Sequence, residues 1–362
     1  MTVLFQREFT RAQRTVLSSG EGVLESLVAQ LTGDGVLPHV MVDPVVLRRH
    51  ASILQPLLEL AGDAVLEIDA GEGAKSPDAL LVVLRWLRDS GALRRGHLVV
   101  VGGSTLTDLG GLAAALYLRG LPYSLVPTTL LAQLDGAYGG KVGINDVGAK
   151  NVYGTFWHPA RVLLEPAFLS SLAPRQLAAG LAEAAKVACL DGTGDLLDLL
   201  VDVSRTTTGF DPALLGKVVR QSLVIKDEFL SHDPFEADLR RPLNLGHEVA
   251  HALEAAGGFR SLEHGEAVAV GLCTAFRLGS RLGLTDPLFA KLVEELLVRL
   301  GLPTSVAPGD VAPLLAHLDA IRRVRDGALL FVVPTRIGDV AFLDDVDSSQ
   351  LVLALLGGSR DV

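Results

Sequence analysis

One short run, Gly246-His247-Glu248-Val249-Ala250-His251, has the residue types and spacing of a metal site, H-E-x-x-H. Residues four apart share a helix face, so His247 and His251 could reach one ion with Glu248 as general base. That is the chemistry of a zinc protease, which also needs a third ligand further along and a substrate cleft. Two helical histidines held by ordinary hydrogen bonds would give the same pattern. His264-Gly265-Glu266 follows a loop rich in Gly, Phe and Ser and precedes another helix. In Ala182-Glu183-Ala184-Ala185-Lys186 a carboxylate and an ammonium sit three apart on a very apolar helix. Charges there are costly unless paired or ligating; a partly exposed surface pair, worth little, is the alternative. Gly102-Gly103 ends an apolar run and precedes a helical one. Small residues there let backbone amides approach a pyrophosphate, whose charge a helix N-terminus favours. A tight turn would use the same glycines, and no G-x-G-x-x-G follows a first strand.

These segments need elements to hold them. The chain has 362 residues, nearly half apolar, so two domains are expected. Apolar runs at 39–43, 64–69, 97–103, 123–129 and 161–166 read as strands, with helical periodicity at 44–60 and 77–90 between them. This alternation predicts a largely parallel sheet whose ligands gather beyond the strand carboxyl ends. From about Ala173 the texture turns helical: Pro174 opens an Ala-rich helix, and helices follow at 212–231, 245–257, 265–283 and 286–300. Runs at 328–334 and 339–343 read as a late hairpin. The net charge of −10 steers away from nucleic acid and anionic membrane. Two cysteines, no apolar run of signal-peptide length and no membrane-length segment make a cytoplasmic enzyme the expectation.

Taken in order, the motifs resemble the 3-dehydroquinate synthases of the sugar-phosphate cyclase family. They are Gly102-Gly103-Ser104-Thr105-Leu106-Thr107-Asp108, Arg119-Gly120 with Val126 to Ala132, Asp135 through Lys141 to Asn145, and Ala149-Lys150-Asn151. Then come Ala182 to Lys186, Lys226 with Arg240, Leu243 to His251, and His264 to Val268. The resemblance covers nearly the whole chain. It implies a Rossmann-like α/β N-terminal domain, residues 1–172, and a mostly α-helical C-terminal domain, 173–362. It assigns one zinc or cobalt ion to Glu183, His247 and His264, which moves His251 to the substrate phosphate. It assigns NAD to Asp43, Glu72, Lys75, Gly102, Gly103, Ser104, Thr105, Asp108, Thr128, Thr129, Phe168 and Ser171.

The substrate implied is a seven-carbon sugar-phosphate acid. NAD oxidises one alcohol, phosphate leaves, the hydride returns, and an intramolecular aldol step closes the ring. By the same resemblance Lys141, Asn151 and His251 serve the phosphate, with Arg119 reaching across a homodimer. Lys150 joins this basic cluster, Asp135, Lys186 and Asn244 bind hydroxyls, and Lys226 and Arg240 bind the carboxylate. Asp135, Lys141, Lys186 and His251 are the implied catalytic set. That carboxylate pair favours a heptulosonate 7-phosphate or its amino analogue, and shikimate metabolism. The chain departs from the family pattern at Ser104, Thr107, Tyr138, Gln176, Glu248 and Ala250, and Arg323 stands where Lys is usual. Tyr138 and Glu248 fall near expected substrate positions, which makes a cyclase of a natural-product pathway the alternative. A metal-dependent alcohol dehydrogenase and a catalytically dead paralogue are the rivals from other classes.

Overall fold

Four helices start on a short polar residue followed by proline. Asp43, Ser76, Asp211 and Asp286 each accept a first-turn backbone N–H, with Pro44, Pro77, Pro212 and Pro287 next in the chain. The side chain satisfies an orphan donor, and proline loses nothing at a position with no N–H partner. The computed structural model describes residues 12–146, 149–205, 211–238, 240–257, 262–324, 329–344 and 346–357.

The first half runs β1 (Val16–Ser19), α1 (Val23–Gly33), β2 (Pro38–Val42), α2 (Pro44–Arg49), α3 (Ala51–Ala61), β3 (Val65–Glu67), α4 (Pro77–Asp89), β4 (His97–Gly102), α5 (Ser104–Leu116) and β5 (Tyr123–Pro127). A hairpin, β6 (Lys141–Asp146) and β7 (Ala149–Phe156), precedes β8 (Arg161–Leu164). Six strands form one parallel sheet in the order β1-β8-β5-β4-β2-β3. Strand side chains alternate between faces. Val40, Val42, Val99 and Val101 pack with α1 and α3. Met41, Leu98 and Val100 face the larger core, which continues into the helical half. Burial on both faces explains the unbroken apolar strands.

The second half comprises α6 (Pro174–Ala188), α7 (Asp195–Ser204), α8 (Pro212–His232), α9 (His247–Ala256), α10 (His264–Arg281), α11 (Pro287–Arg299), α12 (Val311–Val324), the hairpin β9 (Phe331–Arg336) and β10 (Asp339–Leu343), and α13 (Ser348–Leu356). The expected parallel strands and late hairpin are present; Ala328, first in that hairpin run, lies outside the described residues. The periodic stretch 44–60 is two helices, because His50 leaves helical geometry at φ −128°, ψ 31°. Its ring is held there by the Ser171 hydroxyl at 2.7 Å.

His97 opens β4 and lies 2.8 Å from the Ser124 hydroxyl on β5. Burial, with Arg161 nearby, pulls its imidazole down to about 4 from 6.5. The folded state therefore favours the neutral ring. The stability this gives is fully present above pH 6.5 and is lost as pH falls through about 4. The slope reaches at most ~1.4 kcal/mol per pH unit. His97→Asn is expected to flatten the acid limb of stability in urea unfolding between pH 7 and 4.

A candidate metal centre beside a dinucleotide-type turn

Three helices bring the expected metal trio together. Glu183 comes from α6, His247 opens α9 and His264 opens α10. One ligand atom from each lies within 4.8 Å of the others. Glu183 Oε1 is 3.2 Å from His264 Nε2 and 3.5 Å from His247 Nε2. Two glycines permit this convergence. Gly246, at φ 77°, precedes His247, and a Cβ there would lie 2.7 Å from the Leu272 amide nitrogen. Gly265 follows His264, and a Cβ there would lie 1.7 Å from the Ala179 carbonyl oxygen. Each histidine thus stands where a helix backbone touches its neighbour. Arg175 also clamps the starts of α6 and α10 through two 2.6 Å contacts with Glu266.

The donor set suits a divalent ion. Burial and Lys186 hold the His247 imidazole well below its usual value, so it stays neutral. Burial opposes protonation of His264, but hydrogen bonds to Glu183 and Glu254 prevail and push it up to about 10. One carboxylate and two imidazoles match zinc or cobalt and leave coordination positions for substrate oxygens. His251 is not in the trio; its ring centroid is 5.4 Å from that of His247 and 6.4 Å from that of His264.

A charged cluster adjoins the trio. Lys186 Nζ is 2.6 Å from Glu183 Oε2, with both side chains buried. Lys226 reaches Asp135 Oδ1 at 2.6 Å, the Asp135 carbonyl at 2.8 Å and the Tyr138 carbonyl at 3.0 Å. Burial pushes the Asp135 carboxyl up, but Lys226, Lys186 and Lys141 outweigh it and hold the group well below its usual range. Lys141 pairs with Glu236 at 2.7 Å, and the Tyr138 hydroxyl donates to Asp227. Lys150 pairs with Glu254 at 3.0 Å, and Glu254 also lies 3.1 Å from His264 Nδ1.

The expected cofactor residues follow the carboxyl ends of parallel strands: Asp43 after β2, Lys75 after β3, Gly103 to Asp108 after β4, Thr128 and Thr129 after β5, Phe168 and Ser171 after β8. The first turn of α5 has no side-chain cap and no acidic residue, and while the Leu106 amide bonds the Gly103 carbonyl, the helix start still favours an anion. A Cβ on Gly103 would crowd Thr129 Cγ2 at 3.2 Å, and one on Gly136 would crowd Ser104 at 3.0 Å. This glycine-lined turn, with no side chain capping the helix start, fits a pyrophosphate. Lys75 binds Asp108 and Asn151, each at 2.6 Å.

Some expected residues stand apart. Arg119 is exposed at φ 65° beyond the far end of α5. Arg240 is exposed; among the described residues it makes no side-chain hydrogen bond, whereas Arg241 binds Glu236 and the Asp238 carbonyl. Asn244 is half-buried in the turn Pro242–Asn244 ahead of His247. The side chains of Glu72 and Arg323 lie outside the described residues. Glu254, Glu236 and Arg175 join the cluster without having been expected from the sequence. Glu254 alone left a signal, seven residues past His247 and so on the same face two turns on.

Residues 65–179 match the family described as 3-dehydroquinate synthase N-terminal, and 180–323 the 3-dehydroquinate synthase C-terminal family. A 2-epi-valiolone synthase from Stigmatella aurantiaca is 42% identical over 292 residues, 78% of this chain and 71% of that one. A 3-dehydroquinate synthase from Geotalea uraniireducens is 35% identical over 316 residues, 86% of this chain and 87% of that one. The structure of 2-epi-5-epi-valiolone synthase from Streptomyces hygroscopicus, with NAD+ and Zn2+ bound, superposes with a TM-score of 0.83 at 28% identity, covering 97% and 98% of the two chains. The protein is a sugar-phosphate cyclase, a carbon–oxygen lyase that eliminates phosphate. It belongs to the 3-dehydroquinate synthase family.

Proposed function

We propose that this cyclase closes a neutral seven-carbon ketose phosphate, such as sedoheptulose 7-phosphate, to a cyclitol of the 2-epi-valiolone kind. The observation that carries this reading is the state of Lys226. An ammonium has three donors, and all three are engaged by Asp135 and Tyr138. Burial draws Lys226 below its ordinary range, against the pull of Asp135. A group so held has no donor left for a substrate carboxylate, and Arg240 is exposed and makes no side-chain hydrogen bond to the cluster among the described residues.

Glu183, His247 and His264 would hold the metal, and the β4–α5 turn with Asp43, Lys75, Asp108, Thr128, Thr129, Phe168 and Ser171 would hold NAD. When bound, NAD takes up and returns the hydride, while the metal acidifies the alcohol and polarises the ketone. Lys141, Asn151 and His251 would neutralise the phosphate, with Lys150 beside them. Asp135, Lys186 and Asn244 would orient ring hydroxyls. The exposed turn at Arg119 lies too far along α5 to serve its own site, which supports a homodimer in which it completes the partner's. Residues 1–172 and 173–362 would be the cofactor and metal domains.

The second reading is a heptulosonate 7-phosphate, favoured by the presence of both Lys226 and Arg240. Supplying both sugars and following phosphate release and product mass decides between them. Sedoheptulose 7-phosphate is expected to win by about 100-fold in kcat/KM, since an unmet carboxylate leaves a charge unpaired. No net NADH accumulates. A preference for the acid overturns this reading in favour of the second, and steady NADH accumulation from a simple alcohol overturns both.

A further inference from the structure

Glu254 has no part in the reading above, yet it is 4% exposed in a helix of mostly small apolar residues. A buried carboxylate is costly unless paired and hydrogen-bonded. Its Oε1 meets both His264 Nδ1 at 3.1 Å and Lys150 Nζ at 3.0 Å, while its Oε2 is buried with no partner. Both of its contacts therefore serve one oxygen, aimed between a metal-site histidine and a lysine of β7. With Nδ1 donating to a carboxylate, the His264 ring presents Nε2 to Glu183, 3.2 Å away. The His264 side chain is 25% exposed, so its ring orientation depends on the contacts at its two nitrogens, Glu254 at Nδ1 and Glu183 at Nε2. Lys150 belongs to the strand whose next residue, Asn151, accepts from Lys75, which also binds Asp108 near the dinucleotide-type turn.

We propose that Glu254 is a positioning residue, which fixes the ring orientation of His264 and ties that ligand through Lys150 to the strand facing the cofactor side. This rests on the metal reading given above. Partners of this kind raise metal affinity by about 10–100-fold.

The test is zinc affinity of the full chain, by competition with a chelator and without substrate, together with the visible spectrum of the Co2+-loaded chain. Glu254→Gln keeps an acceptor and loses the charge; Glu254→Leu loses both. Zinc binding is expected to weaken in the order wild type, Gln, Leu, reaching about 10–100-fold for Leu. The cobalt spectrum shifts, and the metal-stripped chain loses less stability than the zinc-loaded chain does, because the Lys150 side chain, 27% exposed, still reaches solvent. Lys150→Met weakens zinc less, and combined with Glu254→Leu adds nothing further, as coupled neighbours should. Unchanged zinc affinity in Glu254→Leu overturns the inference. So does a zinc loss matched by an equal fall in the stripped chain's stability. A wild-type chain that binds no zinc at all overturns the metal reading as well.

Discussion

Glu183→Gln is expected to lower phosphate-releasing turnover by about 10³-fold and to strip the purified protein of metal. The carboxylate is charged at every physiological pH. Burial pushes it up, but Lys186 and the His264 hydrogen bond outweigh burial and hold it far below its usual range. An amide has the same shape but no charge for a cation, and metal polarisation is worth several kcal/mol, or about 10³-fold in rate. The same change takes from Lys186, 3% exposed in its side chain, its directly paired carboxylate and leaves only the charges of Asp135 and Glu236. Removing one partner of a buried pair costs about 3–5 kcal/mol, so stability falls too. Metal content per chain and steady-state phosphate release check the first effect, and urea unfolding the second. Glu248→Gln is the contrast: a zinc-protease site would lose its base, whereas here metal content stays at the wild-type level.

Gly265→Ala should be nearly as damaging without touching a charge. The added methyl would lie 1.7 Å from the Ala179 carbonyl oxygen. A side chain can turn away from a clash, but a helix backbone cannot. Overpacking costs about 1–3 kcal/mol where neighbours can give; the upper end or beyond is expected here. Relief comes only by moving α10 off α6, which parts His264 from Glu183. The variant should therefore lose metal affinity in proportion to its fall in unfolding midpoint, with both measured on the same preparation.

These two changes mark what local patterns could and could not reveal. The i, i+4 rule finds partners on one helix, so it pairs His247 with His251. The ligand set instead depends on how α6, α9 and α10 pack, and that contact is made by Gly246 and Gly265, which no helical periodicity encodes. Ordered motifs shared with a family supplied the missing long-range information. Strands β2, β4, β5 and β8 were plain because burial on both faces leaves them almost wholly apolar. β1 is four half-buried residues, Val-Leu-Ser-Ser, with no apolar run to announce it. The β6–β7 hairpin was equally silent, since its strands mix polar and glycine residues. Helical spacing puts Glu254 on the His247 face, but only the tertiary fold brings that face to His264. The departure at Tyr138 proved informative: its carbonyl helps hold Lys226 and its hydroxyl is braced on Asp227.

The pairing of β1 with β8 has a consequence for how the chain is made. Val16 aligns with Arg161, and the Thr15 hydroxyl donates to the Pro159 carbonyl across 144 residues of sequence. During synthesis β1 emerges before β8 and has no neighbour until β8 leaves the ribosome. Closing so long a loop before any contact rewards it makes this a slow, late step. Until then β5 and the nascent β1 are both unpaired edges, and unpaired edges recruit other chains. Aggregation during expression should therefore track the interval between β1 and β8, and slower translation through residues 128–160 should prolong that exposure.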